Sequence, residues 1–345
     1  MLPERRLGRT GLKVRCLGLG GIPVRDRSWE VALEVVRSAL DLGINFIDTA
    51  RGYGDSEAKI GAAIAGRRQD VYLASKTPKR DAAGAREDLE TSLRELKVDY
   101  LDIYQLHGVD EKEDLEKCLA PGGALSALKA AQQAGLVRFI GITGHNPGVL
   151  GEALKTGEFD TVMVPVNILD RFIFNAEEAL LPLARELDVG VIAMKPLAGG
   201  VIKEPPLALR YTLSQAVDIA IPGMGSVAEL EENVRLAGAF KPLTEAEYEG
   251  LVREVQALGR EVCRQCGYCL PCPQGINIRE VFRLEGMYDR YERKREAQAL
   301  YRELTVLPDA CVGCGACEKR CPYDLPIRDK LQRAAAKLGG GNLGT

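Results

Sequence analysis

Apolar residues recur at intervals of three and four along several stretches of this chain, and a short apolar run follows each stretch. Ser28 can cap a helix whose Val31, Ala32, Val35, Val36, Ala39 and Leu40 share one face. A strand over 45–49 follows, then a helix over 56–66 and a strand over 71–75. A helix over 84–97, apolar at Leu89, Leu93 and Leu96, leads to a strand over 100–106. The same alternation predicts helices over 123–134, 147–156, 176–188, 206–214 and 226–238, interleaved with strands over 137–143, 161–167, 190–194 and 216–221. A hairpin within residues 5–20, ending in a buried strand at Val14–Leu19, completes the set. Eight strands alternating with helices over about 240 residues predict an α/β fold closed into a barrel.

The alternation stops near Leu258. Four cysteines, a charged helical stretch from Ile278 to Leu304, four more cysteines and an amphipathic segment make up the rest. The expected organisation is a barrel over 1–257, a small helical cysteine-rich domain over 258–335, and a disordered Gly-rich tail over 336–345.

Composition narrows the possibilities. The chain is 46% hydrophobic and 28% charged, ordinary for a globular protein, and its formal charge of −3 offers nothing to nucleic acid or an anionic membrane. The opening residues lack the apolar core of a signal peptide, and no run reaches the length of a membrane span. Eight of the ten cysteines lie between Cys263 and Cys321 in tight groups, which reads as metal binding in a reducing compartment, the cytoplasm, rather than as disulfides. Cys16 and Cys118 stand alone and read as buried thiols.

The candidate chemistry sits at strand ends. Asp48 ends one strand, and Tyr53 follows on the next loop between Gly52 and Gly54. Lys76 and His107 end the next two strands. In a closed barrel such groups collect at one rim. A Lys76 ammonium would favour ionisation of the Tyr53 phenol, Asp48 would orient Lys76, and His107 could bond a carbonyl oxygen. The four together read as a site that protonates an oxyanion while hydride reaches the adjacent carbon.

At these residues the chain resembles the aldo-keto reductases. The resemblance covers about residues 5–240 and includes Gly8-Arg9-Thr10-Gly11-Leu12, Asn45–Ala50 with Tyr53-Gly54, Ser75-Lys76-Thr77, and Asp99–Asp102 with His107. It implies a (β/α)8 TIM barrel, the catalytic tetrad Asp48, Tyr53, Lys76 and His107 with Tyr53 as general acid, and a nicotinamide dinucleotide across the barrel mouth. Ile221–Ser226 with Glu232 and Asn233 resembles the family's dinucleotide loop, and Lys195–Gly200 its loop after strand seven. The implied cofactor residues are Gly21, Asp48, Thr143, Gly144, Asn167, Met194, Lys195, Pro196, Leu197, Gly223, Met224, Ser226, Glu232 and Asn233. Some positions depart from the family. Met194 stands where an aromatic ring is common, and the loop from Gly223 to Glu232 carries no Lys or Arg, with Glu229 where a basic or neutral residue is common. NADP(H) is the expected cofactor and NAD(H) the open alternative. His145, at the mouth, either serves cofactor or substrate or bonds a loop carbonyl.

The cysteines fall into Cys263-x2-Cys266-x2-Cys269-x2-Cys272-Pro273 and Cys311-x2-Cys314-x2-Cys317-x3-Cys321-Pro322. Three cysteines at two-residue gaps can converge on one cubane, and in two-cluster ferredoxins the fourth of each run serves the other cluster. This predicts two [4Fe-4S] clusters, one on Cys263, Cys266, Cys269 and Cys321, the other on Cys311, Cys314, Cys317 and Cys272. Four-thiolate zinc is the alternative. Barrel plus ferredoxin-like tail resembles a prokaryotic branch of iron–sulfur aldo-keto reductases. The expected function is nicotinamide-dependent carbonyl reduction or alcohol oxidation of a small molecule, with the clusters linking it to an external redox protein. The alternative is a non-catalytic redox-sensing or electron-transfer module, with a partner at the basic run Arg290–Arg295; purely structural clusters are a third reading.

Overall fold

The computed structural model describes residues 1–340. A hairpin of two antiparallel strands, β1 (Glu4–Arg6) and β2 (Lys13–Arg15), comes first. Eight parallel strands follow: β3 (Leu19–Gly20), β4 (Phe46–Asp48), β5 (Tyr72–Thr77), β6 (Leu101–Leu106), β7 (Val137–Thr143), β8 (Thr161–Pro165), β9 (Gly190–Met194) and β10 (Ile219–Ile221). Each pairs with its neighbour in sequence order, and parallel bridges Leu17–Ala220 and Gly20–Gly223 bring the last strand back to the first. The result is the eight-strand barrel that the alternation predicts.

The first strand is not where the apolar pattern places it. Val14–Leu19 splits: Lys13–Arg15 pairs with β1, while Leu17, bridged to Ala220, and Leu19–Gly20 join the barrel. The Asn45 side chain accepts from Arg15 N and donates to Lys13 O, which ties the hairpin to the chain leading into β4. Leu7, Leu12 and Val14 of the hairpin then pack with Phe46, Ala74, Ile103, Met163 and Ile192 in the inner core.

A second core lies between sheet and helices and takes the alternate strand positions, Ile47, Leu73, Tyr104 and Leu106 among them. Two-residue periodicity therefore lines Phe46 with Asp48, Ala74 with Lys76, and Ile103 with Gln105 and His107 on the inner face. Each of these columns is apolar deep in the barrel and polar at the C-terminal rim.

Other differences lie in the helices. The expected helix 176–188 breaks into Ala176–Ala179 and Leu181–Glu186, and a short helix Ile168–Arg171 precedes it. Helices Lys112–Leu119 and Glu245–Leu258 are additions to the predicted set. The chain forms two compact units: Met1–Ala198 with Glu204–Val255, and Gly199–Lys203 with the chain from Gln256 onward. In the second unit, helices Ile278–Asp289, Lys294–Arg302 and Ile327–Leu338 flank the cysteine segments. Residues 336–338 of the expected tail are helical, and 341–345 lie outside the described residues. No described helix is long and apolar enough to cross a membrane.

Candidate active site and cysteine pockets

Register places the rim groups. Asp48 of β4 sits opposite Ala74, and Lys76 of β5 opposite Gln105 of β6. Lys76 therefore stands one inward step above Asp48's neighbour and reaches across. Its Nζ donates to Asp48 Oδ2 at 2.6 Å and Thr49 O at 2.7 Å, and lies 3.5 Å from the Tyr53 hydroxyl. Asp48 Oδ1 accepts from Gln105 Nε2 at 3.1 Å. Both members of the ion pair are buried. Burial pulls the Lys76 ammonium below its ordinary range, and Asp48 opposes that shift by charge and hydrogen bond.

His107 completes the group. Its ring meets the Tyr53 ring edge-on, centroids 5.7 Å apart. Arg80 donates to the carbonyls of His107 and Gly108, at 2.9 and 2.8 Å, and so fixes the loop after β6. Burial, and then the charges of Lys76, His145, Arg80 and Lys195, hold the imidazole far below its usual value. His107 is neutral at physiological pH, able to donate one N–H without carrying charge.

A second polar group lies on the neighbouring strand ends. His145 Nδ1 is 3.1 Å from Asp110 Oδ2, and its Nε2 contacts Lys195 Nζ. The backbone N–H groups of His145 and Asn146 also donate to Asp110. Burial alone would raise Asp110, but these hydrogen bonds and the His145 ring hold it at about 2. His145 is lowered by burial and by Lys195, with Asp110 opposing. The arrangement suits a neutral ring that donates from Nδ1 to Asp110 and accepts at Nε2 from the ammonium. His145 thus bonds the Asp110 carboxylate.

The residues expected at a nucleotide are distributed along the rim loops. Gly21 N donates to Asp48 O at 2.7 Å, and a Cβ there would come within 2.6 Å of the same oxygen, so only glycine lets this loop cross the end of β4. Thr143 Oγ1 accepts from Gly108 N, and Gly144 is buried beside it. Asn167 uses its side chain to cap helix Ile168–Arg171 and to bond Asp170 and Lys195 O, so its amide is already engaged. Met194 ends β9 half-buried against the inner core; Lys195, Pro196 and Leu197 follow. The Met224 side chain is wholly buried in the outer core. Ser226 caps helix Val227–Gly238, on which Glu232 is exposed and Asn233 buried.

The loop before that helix holds a charge the linear pattern does not show. Glu229 accepts from Gly225 N at 2.6 Å. On the other side the Arg27 guanidinium lies so close that a Cβ on Gly225 would sit 2.6 Å from its Nη2. Arg27 comes from the loop after β3, some two hundred residues away in sequence. A helix N-terminus beside a guanidinium fits an anionic phosphate.

In the second unit the cysteines ring two pockets. Cys263, Cys266, Cys269 and Cys321 line one; Cys272, Cys311, Cys314 and Cys317 line the other. The last cysteine of each run stands in the pocket of the other run. Burial, and then the neighbouring sulfurs of Cys266, Cys263 and Cys321, push the Cys269 thiol up to about 12. Cys263, raised by burial with Cys266 and Cys321 adding, is at about 11. Among the described residues no three His, Cys, Asp or Glu side chains are drawn together as ligands of a single metal ion. The pocket linings include no carboxylate or imidazole, so the donor set is all sulfur, which fits an iron–sulfur cluster.

Comparison with known proteins gives this architecture a family. Residues 16–206 match the model of the aldo/keto reductase family, and residues 262–325 match that of a 4Fe-4S dicluster domain. The chain belongs to the aldo-keto reductase family. It is an NAD(P)H-dependent oxidoreductase with a C-terminal 4Fe-4S dicluster-type domain. This aldo-keto reductase is 29% identical over 302 residues to the uncharacterized oxidoreductase YqkF of Bacillus subtilis, covering 72% of this chain and 95% of that one. It is 31% identical over 310 residues to the L-galactose dehydrogenase of Arabidopsis thaliana, covering 74% and 95%. Among solved structures, the holo form of aldo-keto reductase AKR11C1 from Bacillus halodurans superposes with a TM-score of 0.64 at 28% identity, covering 75% of this chain and 97% of that one.

Several residues at the aldo-keto reductase rim are absent from the sequence-based site. Gln105 was legible in principle, because it lies two positions before His107 on the inward face of one strand. The outer-face group of Glu57, Arg51 and Ser75 was not. Ser75 Oγ donates to Glu57 at 2.5 Å, and Arg51 pairs with the same carboxylate. This network braces the loop carrying Tyr53 from behind. Arg27 and Asp110 carried no local signal either, since each is exposed or half-exposed and lies on a loop.

Proposed function

We propose that the barrel catalyses reduction of an aldehyde or ketone, or oxidation of the alcohol, with Tyr53 as general acid. The observation that carries this reading is Lys76 Nζ standing between Asp48, at 2.6 Å, and the Tyr53 hydroxyl, at 3.5 Å, with the His107 ring beside it. A bound reduced nicotinamide would supply the hydride to the carbonyl carbon, and iron–sulfur clusters would supply single-electron steps. Tyr53 gives its hydroxyl proton to the carbonyl oxygen as the C–O π bond breaks, and regains a proton from solvent. The Lys76 ammonium stabilises the negative charge left on the phenolic oxygen. Asp48 and Gln105 hold Lys76 in place. His107, neutral, donates an N–H to the same carbonyl oxygen and so stabilises the charge that develops there.

Gly21, Thr143, Gly144, Asn167, Met194 and the loop Lys195–Leu197 would hold the nicotinamide end. Gly223–Ser226 with Glu232 and Asn233 would hold the adenosine end. Arg27 beside Gly225 favours NADP(H), while Glu229 on Gly225 N favours NAD(H); a guanidinium whose charge faces the loop tips the balance to NADP(H). The two cysteine pockets would each hold one [4Fe-4S] cluster, exchanging electrons with an external redox protein in the cytoplasm. The run Arg290–Arg295 is a weaker docking candidate, because Arg293 pairs with Glu296 and Lys294 lies over the Tyr288 ring.

Tyr53→Phe should lower kcat on a panel of simple carbonyls by about 10²-fold or more, with NADPH binding by fluorescence retained. Turnover equal to that of the unmodified protein would exclude Tyr53 as the acid. Tight nucleotide binding with no turnover by the unmodified protein would favour the sensing module.

A further inference from the structure

Because each cysteine run lends its last member to the other's pocket, two short segments carry a cysteine of each pocket. Residues 269–272 run from Cys269, of one pocket, to Cys272, of the other. Residues 317–321 run from Cys317 to Cys321 and cross in the opposite sense, through the one-turn helix Glu318–Arg320. Whatever fixes these two crossing segments against each other bears on both pockets at once.

Arg320 makes that contact. Its Nη2 donates to Cys269 O at 2.8 Å and to Pro271 O at 2.9 Å, and its Nη1 donates to Leu270 O at 3.1 Å. Its Nε donates to Ala316 O at 3.0 Å, one residue before Cys317. Cys321 follows Arg320 directly in the chain. From a position inside one crossing segment, a single guanidinium therefore gathers three successive carbonyls of the other. A planar fork with five N–H donors can meet several acceptors in a fixed arrangement, whereas an ammonium on a flexible stem cannot. The residue is exposed, so it acts through these bonds rather than by filling a core.

The consequence is a shared ordering cost. Filling one pocket fixes three cysteines of one run and one of the other. With the crossing segments tied together, the same event also holds two of the cysteines that the second pocket needs. The second filling then orders less chain and is more favourable than the first. By linkage the effect is the same whichever pocket fills first.

We propose that Arg320 is a positioning residue that couples the two pockets, so that loading one with its cluster favours loading the other. This rests on the reading that both pockets hold four-iron clusters, and it involves no bond or redox change at Arg320.

The test loads the full chain anaerobically with limiting ferrous iron and sulfide, to half of its iron capacity, and counts chains with no, one and two clusters by native mass spectrometry. Independent pockets, equal or unequal, leave about half or more of the chains with one cluster, and a coupling of about fivefold or more brings that share to about a third or less. The unmodified protein should show the lower share. Arg320→Ala should raise it to about half or more, while still reaching about eight irons per chain in excess iron. Arg320→Lys, which keeps the charge but not the fork, should behave like Arg320→Ala. A residue needed only for folding would lower total iron without enriching single-cluster chains, and that pattern in both variants overturns the proposal. An unmodified protein with half its chains singly loaded also overturns it. So does an unmoved share in Arg320→Ala, which would leave the crossing of the chain itself as the only link. An unmodified protein that takes up no iron refutes the cluster reading, a result distinct from any of these.

Discussion

At the barrel rim the ionisable groups already have partners, whereas in the cysteine unit the sulfurs have chiefly one another. Asp48 meets Lys76 and Gln105, and Asp110 meets His145. Cys263, Cys266, Cys269 and Cys321 instead crowd together, and burial with this crowding raises the thiols of Cys263 and Cys269. The rim is organised by the fold before anything binds. Thiolates in the cysteine unit would depend on a cationic occupant to become favourable. One region can be perturbed by changing a partner, the other by removing what it would hold.

The largest expected effect follows from that dependence. Anaerobic removal of iron with a chelator should make the chain after Leu258 susceptible to limited proteolysis, while a barrel fragment persists. Mass spectrometry of the fragments reads the outcome, and a C-terminal region that stays protected without iron would erase the contrast between the two regions.

A smaller but still large effect tests the paired rim. Lys76→Met leaves Asp48 buried without its cation, at a cost of about 3–5 kcal/mol in the urea unfolding of the barrel. Adding Asp48→Asn should recover part of that loss, because the uncompensated charge is then gone. A double variant no more stable than the single one would mean that the pair contributes packing rather than charge.

The smallest effect is a pH slope. The chain has two histidines, His107 and His145, and both are held below the ordinary value of 6.5 by burial first and neighbouring cations second. Below about 6.5 the unfolded chain therefore binds protons that the folded chain refuses. Their contribution is full above that pH and is lost as pH falls towards the folded values. The slope is at most about 1.4 kcal/mol per pH unit for each histidine. His107→Gln and His145→Gln should each flatten the fall in barrel stability between pH 7 and 5. An unchanged slope in both would show that these rings are not buried neutral.

The contrast also governs how much could be read without coordinates. Helices with three or more buried positions on one face, such as Trp29–Asp41, announce themselves. Lys112–Leu119 buries only Leu115 and Cys118, and Glu245–Leu258 only Leu251 and Val255, too few to raise a periodic signal above their charged surroundings. The run Val14–Leu19 reads as one strand because Val14, Cys16, Leu17 and Leu19 are all buried, although Lys13–Arg15 belongs to the hairpin and Leu17 and Leu19 to the barrel. An unbroken apolar run says that a segment is buried and not which strand it pairs with.

By itself, the sequence determined the strand–helix alternation, the acid, phenol, amine and imidazole types at the strand ends, and the grouping of eight cysteines. These follow from patterns only a few residues long, because periodicity, caps and ligand spacing act locally along the chain. Tertiary structure decided which groups meet. Gln105 reaches Asp48, Glu57 braces the Tyr53 loop through Arg51 and Ser75, Arg27 lies against Gly225, and Cys321 joins Cys263, Cys266 and Cys269 at one pocket. Strand register, loop path and helix packing set those meetings, and none of the three leaves a mark on the residues' own neighbours in sequence.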